Sequence, residues 1–245
     1  MSNKTAAIII IGNEILSGRT LDINTQEIAI RLGEIGVDLV EARTIADDQK
    51  MIVDTIRELS PKYDYIFTTG GIGPTHDDIT AEAIAAAFNL SYVRNEEIYN
   101  ILKKHYESLG ENLNPAREKM AWIPEGSRLL YNDATYVPSF ITNNVFVMAG
   151  IPNIMAAMLK SALPMLKVGK VVKSKSVEIM VGESKIAGQF EALQQKYPQV
   201  EMGSYPFTKD GVHGTALVLR SSDYVALDAS FEELERFCKN GEKIL

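Results

Sequence analysis

The sequence predicts a three-layer α/β/α domain with a mostly parallel sheet, followed by a small α+β domain. Three observations carry this reading. Apolar runs alternate with helix-spaced patterns over the first 168 residues, and the loops richest in reactive side chains all follow predicted strands. A lysine-rich stretch then precedes a tail with strand and helix patterns of its own.

The elements follow in order. Ala6-Ala7-Ile8-Ile9-Ile10-Ile11 is an unbroken apolar run ending at Gly12, the pattern of a strand buried on both faces, and it is expected to be the central strand. Ile28, Leu32 and Ile35 keep helical spacing, and Gly36 is placed as a stop. Residues 37–44 alternate as a second strand, residues 48–59 form a helix with Ile52, Ile56 and Leu59 inward, and residues 63–69 form a third strand. An alanine-rich helix at 81–88 opens behind Thr80, read as its N-cap. A polar helix at 95–109, a turn at 112–117 and a segment with Trp122 and Pro124 make an excursion before a buried strand at 145–150 and a helix at 153–166.

Lys167, Lys170, Lys173 and Lys175 cluster around Gly169, which sets the expected domains at 1–168 and 174–245. In the second, strands are expected at 176–181, 200–206 and 214–220, with helices at 184–197 and 231–239. Gly211-Val212-His213-Gly214 has the Gly-x-x-Gly spacing of an RNA clamp. It lies between two predicted strands, so it reads as a hairpin loop.

Composition narrows the function classes. With 245 residues, 46% hydrophobic and 23% charged, the chain is ordinary globular material. A net charge of -7 argues against a nucleic-acid binder, which needs concentrated basic surface. The single cysteine, Cys238, allows no disulfide within the chain, and no Cys/His spacing suits a structural zinc. The polar N-terminus runs straight into the first strand and no apolar run matches a membrane span, so a cytoplasmic protein without a membrane partner is expected.

The chemistry concentrates in Thr68-Thr69-Gly70-Gly71-Ile72-Gly73-Pro74-Thr75-His76-Asp77-Asp78-Ile79-Thr80. A glycine turn between a strand and a helix aims backbone N–H groups and a helix dipole at an anion such as phosphate or pyrophosphate. Acids at its mouth would repel that anion unless a divalent cation lay between them. A plain turn with aspartates capping the helix is the structural alternative. Ligands of doubly wound sheets sit beyond the carboxyl ends of the strands. The loops at Glu14, Asp47 and 70–78 are therefore expected to converge on one sheet edge.

This string, together with Ile11-Gly12-Asn13-Glu14-Ile15-Leu16-Ser17-Gly18, Asn24-Thr25, Ala46-Asp47-Asp48, Asn114-Pro115-Ala116-Arg117 and Ala149-Gly150-Ile151-Pro152, resembles the molybdopterin-binding superfamily. It is most similar to the first domain of the competence/damage-inducible protein A (CinA) family. Two positions depart from the usual pattern: Asn13 stands where the family has threonine, and Ile151 where it has proline. The resemblance implies the molybdopterin-binding fold, a KH-like second domain, a homodimer, and no amidase activity from this chain. It also implies ADP-ribose pyrophosphatase activity, or hydrolysis of FAD, with AMP as product and Mg²⁺, Mn²⁺ or Co²⁺ as cofactor. Molybdopterin binding with adenylyl transfer is the transferase alternative, and a nucleotide-binding module without turnover is the third.

Asp78 and Asp47 are the catalytic and metal-binding candidates by that resemblance, with Asp77 and Asp48 expected to cap or face solvent. Glu14 is either a third metal ligand or an acid that binds a ribose or pterin hydroxyl. Thr69, Gly70, Gly71, Gly73 and Thr75 are read as phosphate contacts, while Asn24, Gly150 and Pro152 join the substrate set through the matched motifs. Arg117 is the phosphate-fork candidate, or else a surface ion pair with Glu118 or a neighbour. His76 is read as an exposed phosphate or solvent contact, His105 and His213 as structural or solvated.

Overall fold

The structure is a computed structural model describing residues 3–209 and 211–241. The chain divides into two compact units, Met1–Gly169 and Lys170–Leu245.

The first unit runs β1 (Lys4–Ile11), α1 (Asn13–Leu16), α2 (Asn24–Glu34), β2 (Val37–Ile45), α3 (Gln49–Leu59), β3 (Tyr65–Thr69) and α4 (Thr80–Ala87). It continues through β4 (Tyr92–Arg94), α5 (Glu96–Ser108), α6 (Pro115–Glu118), β5 (Trp122–Pro124), β6 (Arg128–Leu130), β7 (Ser139–Thr142), β8 (Val145–Met148) and α7 (Pro152–Ala162). The six-stranded sheet has the order β2-β1-β3-β8-β7-β6. β2, β1, β3 and β8 are parallel, and β7 and β6 extend the sheet antiparallel.

Alternation explains the unbroken apolar run of β1. Ala7, Ile9 and Ile11 pack with Ile52, Ile56, Leu59 and Ile84 from α3 and α4 on one face. Ala6, Ile8 and Ile10 pack with Ile28, Leu32, Met155 and Leu159 from α2 and α7 on the other. Each fully buried isoleucine contributes about 1.5–3 kcal/mol of transfer free energy, so helices on both faces are required and three layers result. β1 is nevertheless not the central strand: β3 and β8 hold the middle, because the chain returns beyond β3 and adds β7 and β6 on that side.

Local signals set the helix starts. Asp48 caps α3 by accepting from Met51 N at 2.8 Å, Asn95 caps α5 by accepting from Ile98 N at 3.0 Å, and Asn114 caps α6 through Arg117 N at 2.9 Å. The expected turn at 112–117 therefore contains a short capped helix. Thr80 is not an N-cap as expected but the first residue of α4. The excursion also forms a small antiparallel pair, β4 with β5.

The second unit contains β9 (Lys173–Ile179), α8 (Ala187–Lys196), β10 (Glu201–Lys209), β11 (Val212–Ser221) and α9 (Tyr224–Gly241). Its sheet is antiparallel in the order β10-β11-β9, over a separate core that includes Ile186, Val200, Leu217, Leu219 and Leu234. Lys209 pairs with Val212 and Gly211 has φ +79°, so a hairpin turn stands here as expected, though Val212, His213 and Gly214 already belong to β11. α9 begins seven residues before the expected start, where Asp223 accepts from Ala226 N at 3.0 Å. Among the described residues no helix is long and apolar enough to cross a membrane.

Candidate functional site

A cavity of about 590 Å³ opens at the carboxyl ends of the parallel strands. Glu14 enters from α1 just after β1, Asp47 from the loop after β2, residues 70–75 with Asp77 and Asp78 from the loop after β3, and Gly150 and Pro152 from the passage between β8 and α7. Consecutive parallel strands deliver their exits to the same edge, which is why four loops distant in sequence meet.

The glycine turn is sterically demanded. Gly70 has φ +98°, and a Cβ there would collide with the carbonyl oxygen of Ile11. Gly71 has φ +67°, and a Cβ would strike the Thr80 hydroxyl. A Cβ on Gly150 would lie 3.4 Å from the Gly70 Cα, so the β3 and β8 exits are in close apposition. Thr80 locks the turn, donating from N to Gly71 O and from Oγ1 to Gly70 O, both at 3.0 Å.

The acids are committed to the loops that carry them. Asp78 accepts from the Thr75 backbone N at 2.8 Å and from the Thr75 hydroxyl, while Asp77 accepts from that hydroxyl at 2.6 Å. The Thr75 hydroxyl and the Asp77 backbone N–H, with weaker help from His76 and Lys119, hold the Asp77 carboxyl below the usual carboxylate range. Both members of this pair line the cavity, contrary to the expectation that only one would. Asp47 accepts from Asn13 N at 2.8 Å, joining the β2 exit to α1, and Asp48 is spent on its cap.

Three expected contacts fall outside the cavity lining. Arg117 is engaged elsewhere: it pairs with Glu111, donates to Asn112 O at 3.1 Å and stacks 4.0 Å over the Tyr106 ring. Thr69 is buried behind the turn, with a hydroxyl that has no partner among the described residues. Asn24 donates to Gly150 O at 2.8 Å, which ties the start of α2 to the β8 loop, and its own backbone N donates to Asp22 Oδ1 at 3.0 Å.

The excursion, which the family resemblance implies packs beside the pocket, does line it, through side chains that sequence reasoning did not single out. Lys119 lines the cavity and donates from Nζ to Thr75 O at 2.8 Å. Tyr92, Trp122, Tyr136 and Ser139 line it too. Tyr92 and Trp122 lie 5.6 Å apart, and Tyr136 is stacked on His105 at 3.5 Å. Only pairing of β4 with β5, a contact between non-adjacent segments, brings the first two rings together.

Four carboxylates (Glu14, Asp47, Asp77, Asp78) and one ammonium (Lys119) thus surround the space. Among the described residues no three His, Cys, Asp or Glu side chains form a ready cage for a metal. The donors are oxygen-only, which suits a hard cation that takes one or two carboxylates and completes its shell from phosphates and water.

The family model described as "Probable molybdopterin binding domain" matches residues 7–168, and that of "FAD synthase, middle domain" matches residues 171–243. An Archaeoglobus fulgidus protein is 38% identical over 199 residues, covering 81% of this chain and 84% of that protein. A CinA-like protein of Thermosipho melanesiensis is 29% identical over 85% of this chain, which spans 53% of that longer relative. The solved CinA protein of Thermoplasma acidophilum superposes with a TM-score of 0.62 at 32% identity, covering 66% of this chain and 98% of that one. With its first unit matched almost end to end, the chain belongs to the molybdopterin-binding domain family and is CinA-like in that unit.

Proposed function

We propose that the first unit hydrolyses the phosphoanhydride bond of a nucleotide such as ADP-ribose or FAD, releasing AMP. The observation that carries this reading is the meeting of the Gly70 to Gly73 turn with Asp47, Asp78 and Glu14 in one cavity flanked by aromatic rings. The turn, with glycine at 70, 71 and 73, would offer backbone N–H groups to the pyrophosphate, while Tyr92, Trp122 and Tyr136 line the cavity as ring partners for a heteroaromatic group.

Charge balance supports metal dependence. Four carboxylates against one ammonium would repel a bare pyrophosphate. One or two of Asp47, Asp78 and Glu14 would hold Mg²⁺, Mn²⁺ or Co²⁺, with phosphate oxygens and water completing the shell, and the bound cation would neutralise phosphoryl charge and acidify water. In the reaction, a water oxygen bonds to one phosphorus and the bond from that phosphorus to the bridging oxygen breaks. The water proton passes to the acidic rim, and the bridging oxygen leaves on the other phosphate. Lys119 stands beside the turn to pair with phosphate oxygens.

The match of the second unit to a FAD synthase domain supports a flavin dinucleotide among the substrates. The first unit's family favours adenylyl transfer to molybdopterin as a second reading, since the same rings would accept a pterin. Metal-stripped protein incubated with ADP-ribose, FAD, NAD or ATP, with each cation restored in turn, tests the proposal through AMP release, with Asp47→Asn and Asp78→Asn alongside. Cation-dependent AMP from ADP-ribose or FAD, lost in both variants, is expected. ATP consumption only when molybdopterin is added would replace hydrolysis with transfer.

A further inference from the structure

Ser139 is 1% exposed, lines the cavity, and its Oγ has no hydrogen-bond partner among the described residues. A buried hydroxyl left unpaired is costly, and native proteins keep few of them. Its neighbours do not relieve it: Val137, Pro138 and Phe140 carry no side-chain donor or acceptor, and the Tyr136 hydroxyl donates instead to Tyr106 Oη at 3.2 Å.

Strand order fixes where this hydroxyl stands. Across the sheet edge, Asp47 exits β2, Glu14 exits β1, the glycine turn exits β3, Gly150 exits β8, and Ser139 begins β7. Strands are about 4.8 Å apart, so Ser139 lies about 10 Å beyond the glycine turn and about 14 Å beyond Glu14, at the end away from the acids. A phosphate on the turn and a ring-bearing nucleoside extending toward β7 would span that separation.

We propose that the Ser139 hydroxyl is the specificity-determining contact for the ring end of the ligand, binding the polar edge of a heteroaromatic ring whose phosphate lies on the Gly70 to Gly73 turn. This rests on the phosphoanhydride reading for the placement of the phosphate, but not on turnover. Serine donates one hydrogen bond and accepts two, so it can meet either a ring nitrogen or carbonyl or an exocyclic N–H.

The test is calorimetric titration of wild-type protein and Ser139→Ala, with Mg²⁺ present, using two ring-bearing probes, AMP and FMN, and two ringless ones, ribose 5-phosphate and inorganic pyrophosphate. Thermal midpoints of both free proteins are measured in parallel. The expected result is about a tenfold loss in affinity for AMP or FMN, unchanged affinity for the ringless probes, and a free-state midpoint equal to or above wild type. Equal weakening of ringed and ringless probes would overturn the proposal, as would unchanged binding with a lowered midpoint, the mark of a purely structural hydroxyl. Ring-selective loss without any AMP-releasing turnover would keep Ser139 and remove the hydrolase reading; no binding of AMP or FMN to wild type would remove the Ser139 assignment itself.

Discussion

The hydroxyl of Thr80 donates to the carbonyl of Gly70 at 3.0 Å, so the first residue of α4 closes the turn that ends β3. The same oxygen occupies the place a Cβ on Gly71 would take. Turn and helix are thereby coupled. Gly71→Ala should destabilise the protein by more than about 2 kcal/mol, from the collision and the left-handed φ together. Thr80→Ala should cost about 1–3 kcal/mol by leaving Gly70 O unpaired. Made together, the changes should cost less than their sum, because removing the hydroxyl makes room for the new methyl group. Denaturant midpoints of the three variants check this; strict additivity would refute the coupling.

What could be read beforehand was the part written in local patterns. Ile8 to Ile11 show a doubly covered strand, Asp48 is a recognisable cap, and parallel strands dictate that their exits share an edge, so Glu14, Asp47 and Gly70 were foreseeable neighbours. The remainder depends on contacts between distant segments. β6 and β7 are only three and four residues long and carry no period to detect. Arg117 read either as a phosphate ligand or as a surface ion pair; Glu111 and the Tyr106 face claim it, and nothing local distinguishes the two outcomes. Lys119, two residues on, carries no local signal: a single lysine between Glu118 and Met120 reads as a surface residue until the fold brings Thr75 O beside it.

That exchange of roles between Arg117 and Lys119 can be measured. Lys119→Ala should raise KM or Kd for an AMP-releasing substrate about tenfold, with a weakened dependence on ionic strength. Arg117→Ala should leave KM close to wild type while lowering thermal stability, since the guanidinium holds the Glu111 and Asn112 loop. Steady-state kinetics with melting curves separate the two, and a larger KM effect from Arg117 would reverse the assignment.

Acid sensitivity should follow Glu58. Arg43 reaches its two carboxylate oxygens at 2.6 and 2.7 Å and Lys62 adds a contact at 2.6 Å, holding this carboxyl down to about 2 from an ordinary 4.5. A carboxyl with a depressed folded pKa stabilises the fold above its unfolded value, and that contribution is lost as pH falls through the folded one. The thermal midpoint gap between wild type and Glu58→Gln should therefore be full above about pH 5 and should close as pH falls toward 2. A gap that widens on acidification would show that the pair does not stabilise the folded state. The site's exposure and salt screening keep the effect small.

Trp122 is the sole tryptophan of the sequence and lines the cavity at 36% exposure. A ring entering beside it should exclude water from the indole, shifting its emission to shorter wavelength and changing its intensity in a saturable way. Tyr92, 5.6 Å away, is the neighbour whose ionisation would confuse that signal. Burial, with a smaller contribution from Glu82, pushes the Tyr92 phenol up to about 12, so it stays neutral through the working range. The amplitude of the emission change should accordingly be flat between about pH 6 and pH 10. Titration with AMP, FMN and inorganic pyrophosphate checks the assignment: the ringed probes should move the emission and pyrophosphate should not. An equal response to pyrophosphate would mean that Trp122 reports closure of the loops rather than contact with a ring.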